Sequence, residues 1–201
     1  MPRDLSRRGF GALGAATLAV TLMPQLSLAL NVDEARALID KLIAEINRVI
    51  NSGRSENEMF RDFEGIFSHY ADENYIALSA LGPKGKKASA EQKAAFTKAF
   101  KRYIAVKYGR RFREFIGGVI EVQDAHPLKT FYEVVSTAKL KGQNSFEVRW
   151  HVFDKSGQDR FFNIIIEGVN MLAAERTEIG SILDKNRGDI NKLIAALKAQ
   201  S

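Results

Sequence analysis

The chain has 201 residues and no cysteine, which excludes disulfide bonds and any cysteine nucleophile or metal ligand. Its three histidines, His69, His126 and His151, are far apart and lack the paired spacing of a histidine metal site. The nucleophile motif G-x-S-x-G and the glycine-rich phosphate-binding loop are both missing from the sequence. We therefore expect no catalytic site, no metal and no cofactor, and a fold stabilised by the burial of apolar side chains.

The N-terminal residues have the pattern of an export signal. Arg7 and Arg8 precede an uncharged run, residues 9–22, and Ala29 ends a small-x-small tripeptide of the kind that signal peptidases recognise. The run is shorter than the roughly 20 residues that a membrane-spanning helix needs. We predict that residues 1–29 are a cleaved signal peptide that delivers the protein to the periplasm.

The same N-terminal segment indicates the export pathway and sets the length of the exported domain. Residues 6–10, SRRGF, resemble a twin-arginine signal, although a general secretory signal with two neighbouring arginines also fits them. The remaining residues, 30–201, have a length that suits a single domain. The signal carries three arginines and one aspartate, so its removal lowers the formal net charge from +6 to +4. This modest surplus, on an exported chain, does not require a nucleic acid partner, and we expect none.

The first half of the domain is predicted to be helical. Apolar residues recur every three or four positions over residues 33–50, and Ser55 with Glu58 and Ser89 with Gln92 have the capping-box spacing that begins a helix. The two helices that begin at these boxes carry aromatic stripes, Phe60, Phe63, Phe67 and Tyr70 on the first and Phe96, Phe100, Tyr103 and Tyr108 on the second. Each stripe indicates the buried face of its helix.

Beyond residue 118 the apolar period shortens to about two residues, which is typical of β-strands. A three-residue turn at residues 155–157 would place Trp150 opposite Phe162 and Val148 opposite Ile164 across a hairpin. Residues 171–176 are predicted to form a further short strand, followed by two helices. The sequence thus predicts an α+β fold, an antiparallel sheet of about four to five strands with one apolar face covered by several helices.

The aromatic side chains of the helices are predicted to face those of the sheet, and this arrangement has two interpretations. In one, the rings pack against each other and fill a phenylalanine-rich core. In the other, rings on rigid elements hold the walls apart around a ligand cavity. Periodicity does not distinguish the two. The opposite side of the second aromatic helix is cationic, and is either a solvated surface or a docking site for phosphate groups or an acidic protein: Lys93, Lys98, Lys101, Arg102 and Lys107.

Three segments together resemble one protein family. They are MFRDFEGIFSHYADENYIALSALG at residues 59–82, ASAEQKAAFTKAFKRYIAVKYGRRF at residues 88–112 and FFNIIIEGVNMLAAERTEIGSIL at residues 161–183. In this order, and with nearly all of the domain included, the chain resembles the MlaC or toluene-tolerance family of periplasmic phospholipid-binding proteins. One local departure is that Leu81 and Gly82 lead into PKGKK, where many members have a Trp-Arg pair.

The resemblance implies a soluble carrier, not an enzyme, that encloses the acyl chains of a phospholipid between helices and sheet. It also implies that the protein is a monomer that shuttles lipid within an ABC transport system supporting outer-membrane lipid asymmetry. The partners would be the inner-membrane ABC transporter complex with its MCE-domain protein and an outer-membrane lipoprotein complex. The side chains predicted to line the lipid cavity are Phe60, Phe63, Phe67, Phe96, Phe100, Tyr103, Tyr132, Val134, Val148, Trp150, Phe162 and Ile164.

Two other classes of protein fit the same pattern. A small-molecule enzyme with a cone-shaped α+β pocket would place an acid among the aromatic rings and would need a buried carboxylate with a raised pKa. A non-lipid binding or assembly protein would use the aromatic stripes only to fill its core. The volume enclosed by the rings separates this last alternative from a lipid carrier.

Overall fold

A computed structural model describes residues 30–112 and 115–200 of the chain. The predicted signal peptide, residues 1–29, lies outside the described residues. Those described residues form six α-helices, one short 3₁₀-helix and one five-stranded sheet. Within the two described ranges, no helix has both the length and the apolar character that crossing a membrane requires.

The helices lie mostly before the sheet in the sequence and close the chain after it. Four precede the sheet, with a 3₁₀-helix at Pro83–Lys87 between the third and the fourth. The α-helices are α1 Val32–Ile50, α2 Glu56–Tyr70, α3 Glu73–Leu81, α4 Ala90–Phe112, α5 Met171–Lys185 and α6 Ile190–Ala199.

The starts of α2 and α4 confirm the predicted capping boxes. The Glu58 carboxylate accepts a hydrogen bond from the backbone N–H of Ser55, 3.0 Å away. At α4, the Ser89 hydroxyl accepts from the Gln92 backbone N–H at 3.2 Å, while the Gln92 side chain accepts from the Ser89 N–H at 3.1 Å. These contacts satisfy N–H groups that have no partner inside the helix, and so fix where each helix begins.

The sheet is an antiparallel meander in which each strand pairs with the next along the chain. Its order is β1-β2-β3-β4-β5, which confirms the predicted α+β fold. Pro127 lies in the edge strand β1, where a missing backbone N–H is tolerated. The strands are β1 Val119–Leu128, β2 Phe131–Lys139, β3 Phe146–Phe153, β4 Arg160–Ile166 and β5 Val169–Asn170.

The predicted register of the β3–β4 hairpin is wrong by two residues. Trp150 pairs with Ile164, and Val148 pairs with Ile166. The connection between the strands is longer than the predicted three-residue turn, and the register shifts at His151, where Phe162 is the extra residue of a β-bulge. Because a shift of two residues preserves the side-chain alternation, Val148 and Trp150 keep the inward direction that the pattern indicates.

The predicted strand at residues 171–176 is also wrong, because helix α5 begins there. Strand β5 has only two residues, and the Asn170 side chain accepts a hydrogen bond from the Ala173 backbone N–H at 3.0 Å. Asparagine is a preferred N-cap, and the segment after it is rich in good helix formers such as leucine, alanine and glutamate. Local capping and helix propensity therefore determine the structure of this segment.

The helices cover the inner face of the sheet. Helix α1 lies against β1, β2 and β3, and α5 lies against β4. Helix α4 contacts α2, α3 and α6. Between this helical layer and the sheet the side chains leave an apolar space, whereas Leu193 and Leu197 of α6 are fully buried.

Candidate ligand cavity

An apolar cavity of about 160 Å³ lies between the inner face of the sheet and the helices. Side chains from helices α1 to α5 and from strands β1, β3 and β4 form its wall. Almost all of the lining is hydrocarbon, and the few polar groups come from Tyr108, Asn163, Glu175 and the indole of Trp150. Such a wall offers dispersion contacts and freedom from water, the conditions that an apolar ligand requires.

Six of the twelve predicted cavity residues line this space, and they come from one helix and two strands. Phe63 and Phe67 extend from α2, Val148 and Trp150 from β3, and Phe162 and Ile164 from β4. The ring of Phe162 also contacts Phe153 on the outer face, with ring centroids 4.5 Å apart, because the bulge turns it partly away from the interior. The sheet and α2 thus bring half of the predicted set together around the void.

The other six predicted residues lie outside the lining. Phe96 and Phe100 are fully buried and stack on each other, with ring centroids 5.6 Å apart, so they fill the helical core. The ring of Phe60 lies directly against the backbone of Gly109. Val134 is buried on the strand opposite Trp150, Tyr132 is half-buried opposite Val152, and Tyr103 takes part in a polar cluster.

The structure adds lining residues that the aromatic pattern did not single out. Most are aliphatic, and two come from α1, whose apolar stripe indicated burial but no particular role. Phe161 enters the wall because the bulge places it, as well as Phe162, beside the cavity. The added apolar residues include Leu42, Ile46, Ile66, Ile104, Phe161 and Ile166.

Trp150 is held in the wall by a buried pair of hydrogen bonds. Its indole Nε1–H donates to the Ser136 hydroxyl at 2.9 Å, and that hydroxyl donates to the backbone oxygen of Val148 at 3.0 Å. Ser136 is fully buried, so its polar groups are satisfied inside the sheet. This anchoring fixes the plane of the indole ring and keeps its apolar surface toward the cavity.

A polar cluster connects α4 and α5 at one side of the cavity. Lys107 donates to Glu175 at 2.7 Å and also to Glu178, while the hydroxyls of Tyr103 and Tyr108 donate to Glu178 and Glu175 respectively. Burial, together with the hydrogen bond to Glu178, raises the pKa of Tyr103 to about 12, so the phenol stays a donor. Burial works against the charge of Lys107, but the two carboxylates outweigh it and raise the pKa of that ammonium above its usual range.

A second polar network ties α5 to three strands, and one of its members, Asn163, also lines the cavity. His151 contacts Glu133 at 3.1 Å through Nε2 and the Asn163 amide nitrogen at 3.3 Å through Nδ1. Asn163 in turn accepts from the backbone N–H of Leu172 at 3.1 Å, next to the start of α5. Burial lowers the pKa of His151, although the hydrogen bond to Glu133 opposes this shift. The neutral imidazole, with its proton on Nε2, fits these partners.

Neither the polar cluster around Lys107 nor the polar network around His151 has the composition of a metal centre. Among residues 30–112 and 115–200, no cluster of three or more His, Asp or Glu side chains has the arrangement needed to hold a metal ion. Lys107 and Arg149, positively charged, occupy the positions next to the buried carboxylates. The geometry of the cavity is therefore suited to taking up an apolar molecule with a polar group at the α4–α5 side.

Fold and cavity define an α+β protein in which helices and one antiparallel sheet enclose apolar space. Residues 36–199 match the model of the MlaC protein family, and the chain therefore belongs to the MlaC family, as its sequence pattern predicts. Similar folds also occur among solved structures. One is the phospholipid-binding protein from Ralstonia solanacearum, solved in complex with a phospholipid, with a TM-score of 0.71 and 16% identity over 83% of this chain and 96% of that chain. At this level of identity the likeness shows a shared fold.

Proposed function

We propose that this protein binds the acyl chains of a phospholipid in the cavity between helices and sheet and acts as a carrier, not an enzyme. The observation that carries the proposal is the apolar interior itself, in a chain that belongs to the MlaC family. The phospholipid bound to the Ralstonia solanacearum protein of the same fold supports it. The predicted lining residues Phe63, Phe67, Val148, Trp150, Phe162 and Ile164 would then contact the acyl chains.

The size of the cavity indicates how lipid would be accommodated. A void of about 160 Å³ is close to that of engineered protein cavities of about 150 Å³ that hold a single benzene molecule. Acyl chains therefore need the walls to move apart, and the lining comes from several separate elements that can shift against each other. Each methylene removed from water gains about 0.8 kcal/mol, which provides the driving force for this expansion.

As a carrier, the protein would exchange lipid between two similar apolar environments. Because the alternative location of a phospholipid is a bilayer and not water, the net free energy of transfer is far smaller than the gross gain from burial. We propose that it works in the periplasm, as a monomer, between the inner-membrane ABC transporter complex with its MCE-domain protein and an outer-membrane lipoprotein complex. The exposed lysines of α4, such as Lys98, are candidates for contact with lipid phosphates or with acidic surfaces of these partners.

The proposal is tested by asking what the purified protein carries. The full-length chain, expressed with its N-terminal segment and isolated from the periplasmic fraction, is analysed by native mass spectrometry and by lipid extraction. We expect a population whose mass exceeds that of the polypeptide by one or more phospholipids. Only the bare polypeptide mass, from cells with normal membrane lipids, would contradict lipid binding.

Carriage between membranes requires a separate test. Donor vesicles that contain a fluorescent phospholipid with a quencher are mixed with unlabelled acceptor vesicles, and dequenching is followed with and without the protein. We expect the protein to accelerate transfer in proportion to its concentration, because each molecule moves lipid independently. If lipid is bound but transfer is not accelerated, the protein binds lipid without acting as a shuttle on its own.

A further inference from the structure

Glu175 on α5 is the one charged side chain in the described lining of the cavity, and it is 3% exposed. Its Oε1 accepts hydrogen bonds from Lys107, 2.7 Å away, and from the hydroxyl of Tyr108. Its Oε2 is buried, and no donor in the described part of the chain lies within hydrogen-bonding distance of it. A buried carboxylate oxygen without a donor costs free energy, so a ligand that brings a donor to this point is stabilised.

The position of Glu175 indicates which part of a lipid reaches it. Glu178, one helical turn further along α5, is 42% exposed and Lys107 is 30% exposed, so the cluster leads from the cavity wall to the protein surface. Helix α5 packs mainly against α3, α6 and β4, whereas it meets α4 through these long side chains. A lipid whose acyl chains fill the apolar interior would have its polar end at this junction.

The charge of the cluster favours a cation. Lys107 carries one positive formal charge and the two carboxylates carry two negative ones, so one negative charge is not balanced within the cluster. Lys107 has three N–H donors, of which Glu175 and Glu178 accept two. One donor therefore remains to approach a lipid phosphate, while the unpaired oxygen of Glu175 is suited to a positively charged N–H group.

We propose that Oε2 of Glu175 accepts a hydrogen bond from the ammonium group of an ethanolamine phospholipid, and that this contact makes the protein select that headgroup. The inference rests on the proposed lipid-binding function and adds a headgroup preference to it. A choline headgroup has the same charge but no N–H, so it cannot make this bond. A glycerol headgroup has hydroxyl donors but lacks the positive charge.

The test is a competition between lipids with identical acyl chains. The purified protein is incubated with an excess of vesicles that contain equal amounts of phosphatidylethanolamine and phosphatidylcholine, then separated from them, and its lipid is extracted and quantified by mass spectrometry. We expect bound lipid to be enriched about tenfold in phosphatidylethanolamine, a ratio in keeping with one hydrogen bond to a charged group. Glu175→Gln should bring the ratio of the two bound lipids close to one.

Glu178→Gln is the matched control, since both of its carboxylate oxygens already have partners in the same cluster. It should keep the preference. In the wild-type protein, singly and doubly N-methylated ethanolamine lipids should be retained and enrichment should fall only at the choline lipid, a result that does not depend on any variant folding.

Three results would overturn the inference: equal uptake of the two lipids by the wild-type protein, an unchanged preference in Glu175→Gln, or an equal loss in Glu178→Gln. The last would assign selection to the overall charge of the cluster instead of to Oε2. Failure of the wild-type protein to take up either lipid would be a different result, because it would overturn the carrier function and the headgroup preference together.

Discussion

Ile164 and Ile165 are neighbours on β4 whose side chains point to opposite faces of the sheet. Ile164 lines the cavity opposite Trp150, and Ile165 lies opposite Arg149 on the outer face. Both are half-buried, which makes them a matched pair. We expect Ile164→Glu to lower the phospholipid content at least about tenfold, because a charge in the apolar wall must be desolvated beside acyl chains.

Ile165→Glu should leave the phospholipid content unchanged. The measurement is phosphate per mole of protein after solvent extraction, with circular dichroism as a check that both variants are folded. Equal losses in the two variants would mean that this strand face does not contact the lipid.

The buried imidazole of His151 leads to a prediction about how the stability of the fold depends on pH. Since burial lowers the pKa of His151 in the folded protein, the unfolded chain binds a proton more readily. The contribution of the neutral imidazole to stability is therefore complete above the ordinary histidine pKa of about 6.5 and is lost as the pH falls from there towards the folded value. The groups around the ring are Glu133, which opposes the shift, and Arg149, whose positive charge supports it.

We expect His151→Gln to show a shallower loss of unfolding free energy between about pH 7 and about pH 5 than the wild-type protein. Urea denaturation at several pH values measures this slope. His69→Gln, on α2 and away from this network, serves as the control and should retain the wild-type slope. A slope unaffected by His151→Gln would show that other groups control the acid sensitivity.

Within single helices and strands, the sequence predicts those features that depend on short-range spacing. The capping boxes of Ser55 and Ser89 and the inward direction of Val148 and Trp150 depend on spacing alone, and the structure confirms them. The predicted register of β3 with β4 is wrong because the bulge at Phe162 depends on tertiary contacts. One of them is with the ring of Tyr75, whose centroid lies 5.3 Å from that of the Phe162 ring. Contacts of this kind have no signature in local spacing.

The close contact between helices α2 and α4 depends on the absence of a Cβ atom at Gly109. In the interior of a helix, alanine in place of glycine normally stabilises by about 0.5–1 kcal/mol. A Cβ at Gly109 of α4, however, would lie 2.4 Å from the Phe60 ring of α2. We expect Gly109→Ala to destabilise the protein by about 1–3 kcal/mol, because the ring or the helix must shift.

The control is Gly180→Ala in α5, where a Cβ would meet nothing within 4 Å. This variant should gain the ordinary helix increment, about 0.5–1 kcal/mol. Urea denaturation of both variants gives the two free energies, and a shift in the same direction would show that the contact between α2 and α4 adapts without cost.

Across the protein as a whole, the aromatic stripes of different helices have two different outcomes. Phe96 and Phe100 are fully buried and stack on each other, whereas Phe63 and Phe67 border a void, although each pair is spaced four residues apart on a helix. Periodicity predicts which side of a helix is buried, but not whether the facing surfaces meet. That depends on the curvature of the sheet and on the separation of α4 from α5, which the long side chains of Lys107, Glu175 and Glu178 bridge.

An empty cavity has a measurable cost. At roughly 24 cal/mol per Å³, a void of about 160 Å³ lowers the stability of the protein by about 4 kcal/mol relative to a filled interior. A chain whose aromatic residues served only to build a core would gain by closing this space. Retaining it is consistent with a site in which stability is given up for binding.

Two alanines of α4 distinguish a binding cavity from an imperfect core. Ala105 lines the cavity, and Ala99 is buried on the same helix away from it. Ala105→Leu places new methylene groups in the void, so the lipid-free protein should become more stable by on the order of 1 kcal/mol, while phospholipid content should fall because the space is occupied. Ala99→Leu should instead destabilise the protein by about 1–3 kcal/mol through overpacking and leave its phospholipid content unchanged.

Urea denaturation of delipidated protein and lipid extraction from native protein measure the two effects. Opposite signs for stability and lipid content in Ala105→Leu are expected only if the cavity exists to hold lipid; a loss of both would mean that the walls are already in contact.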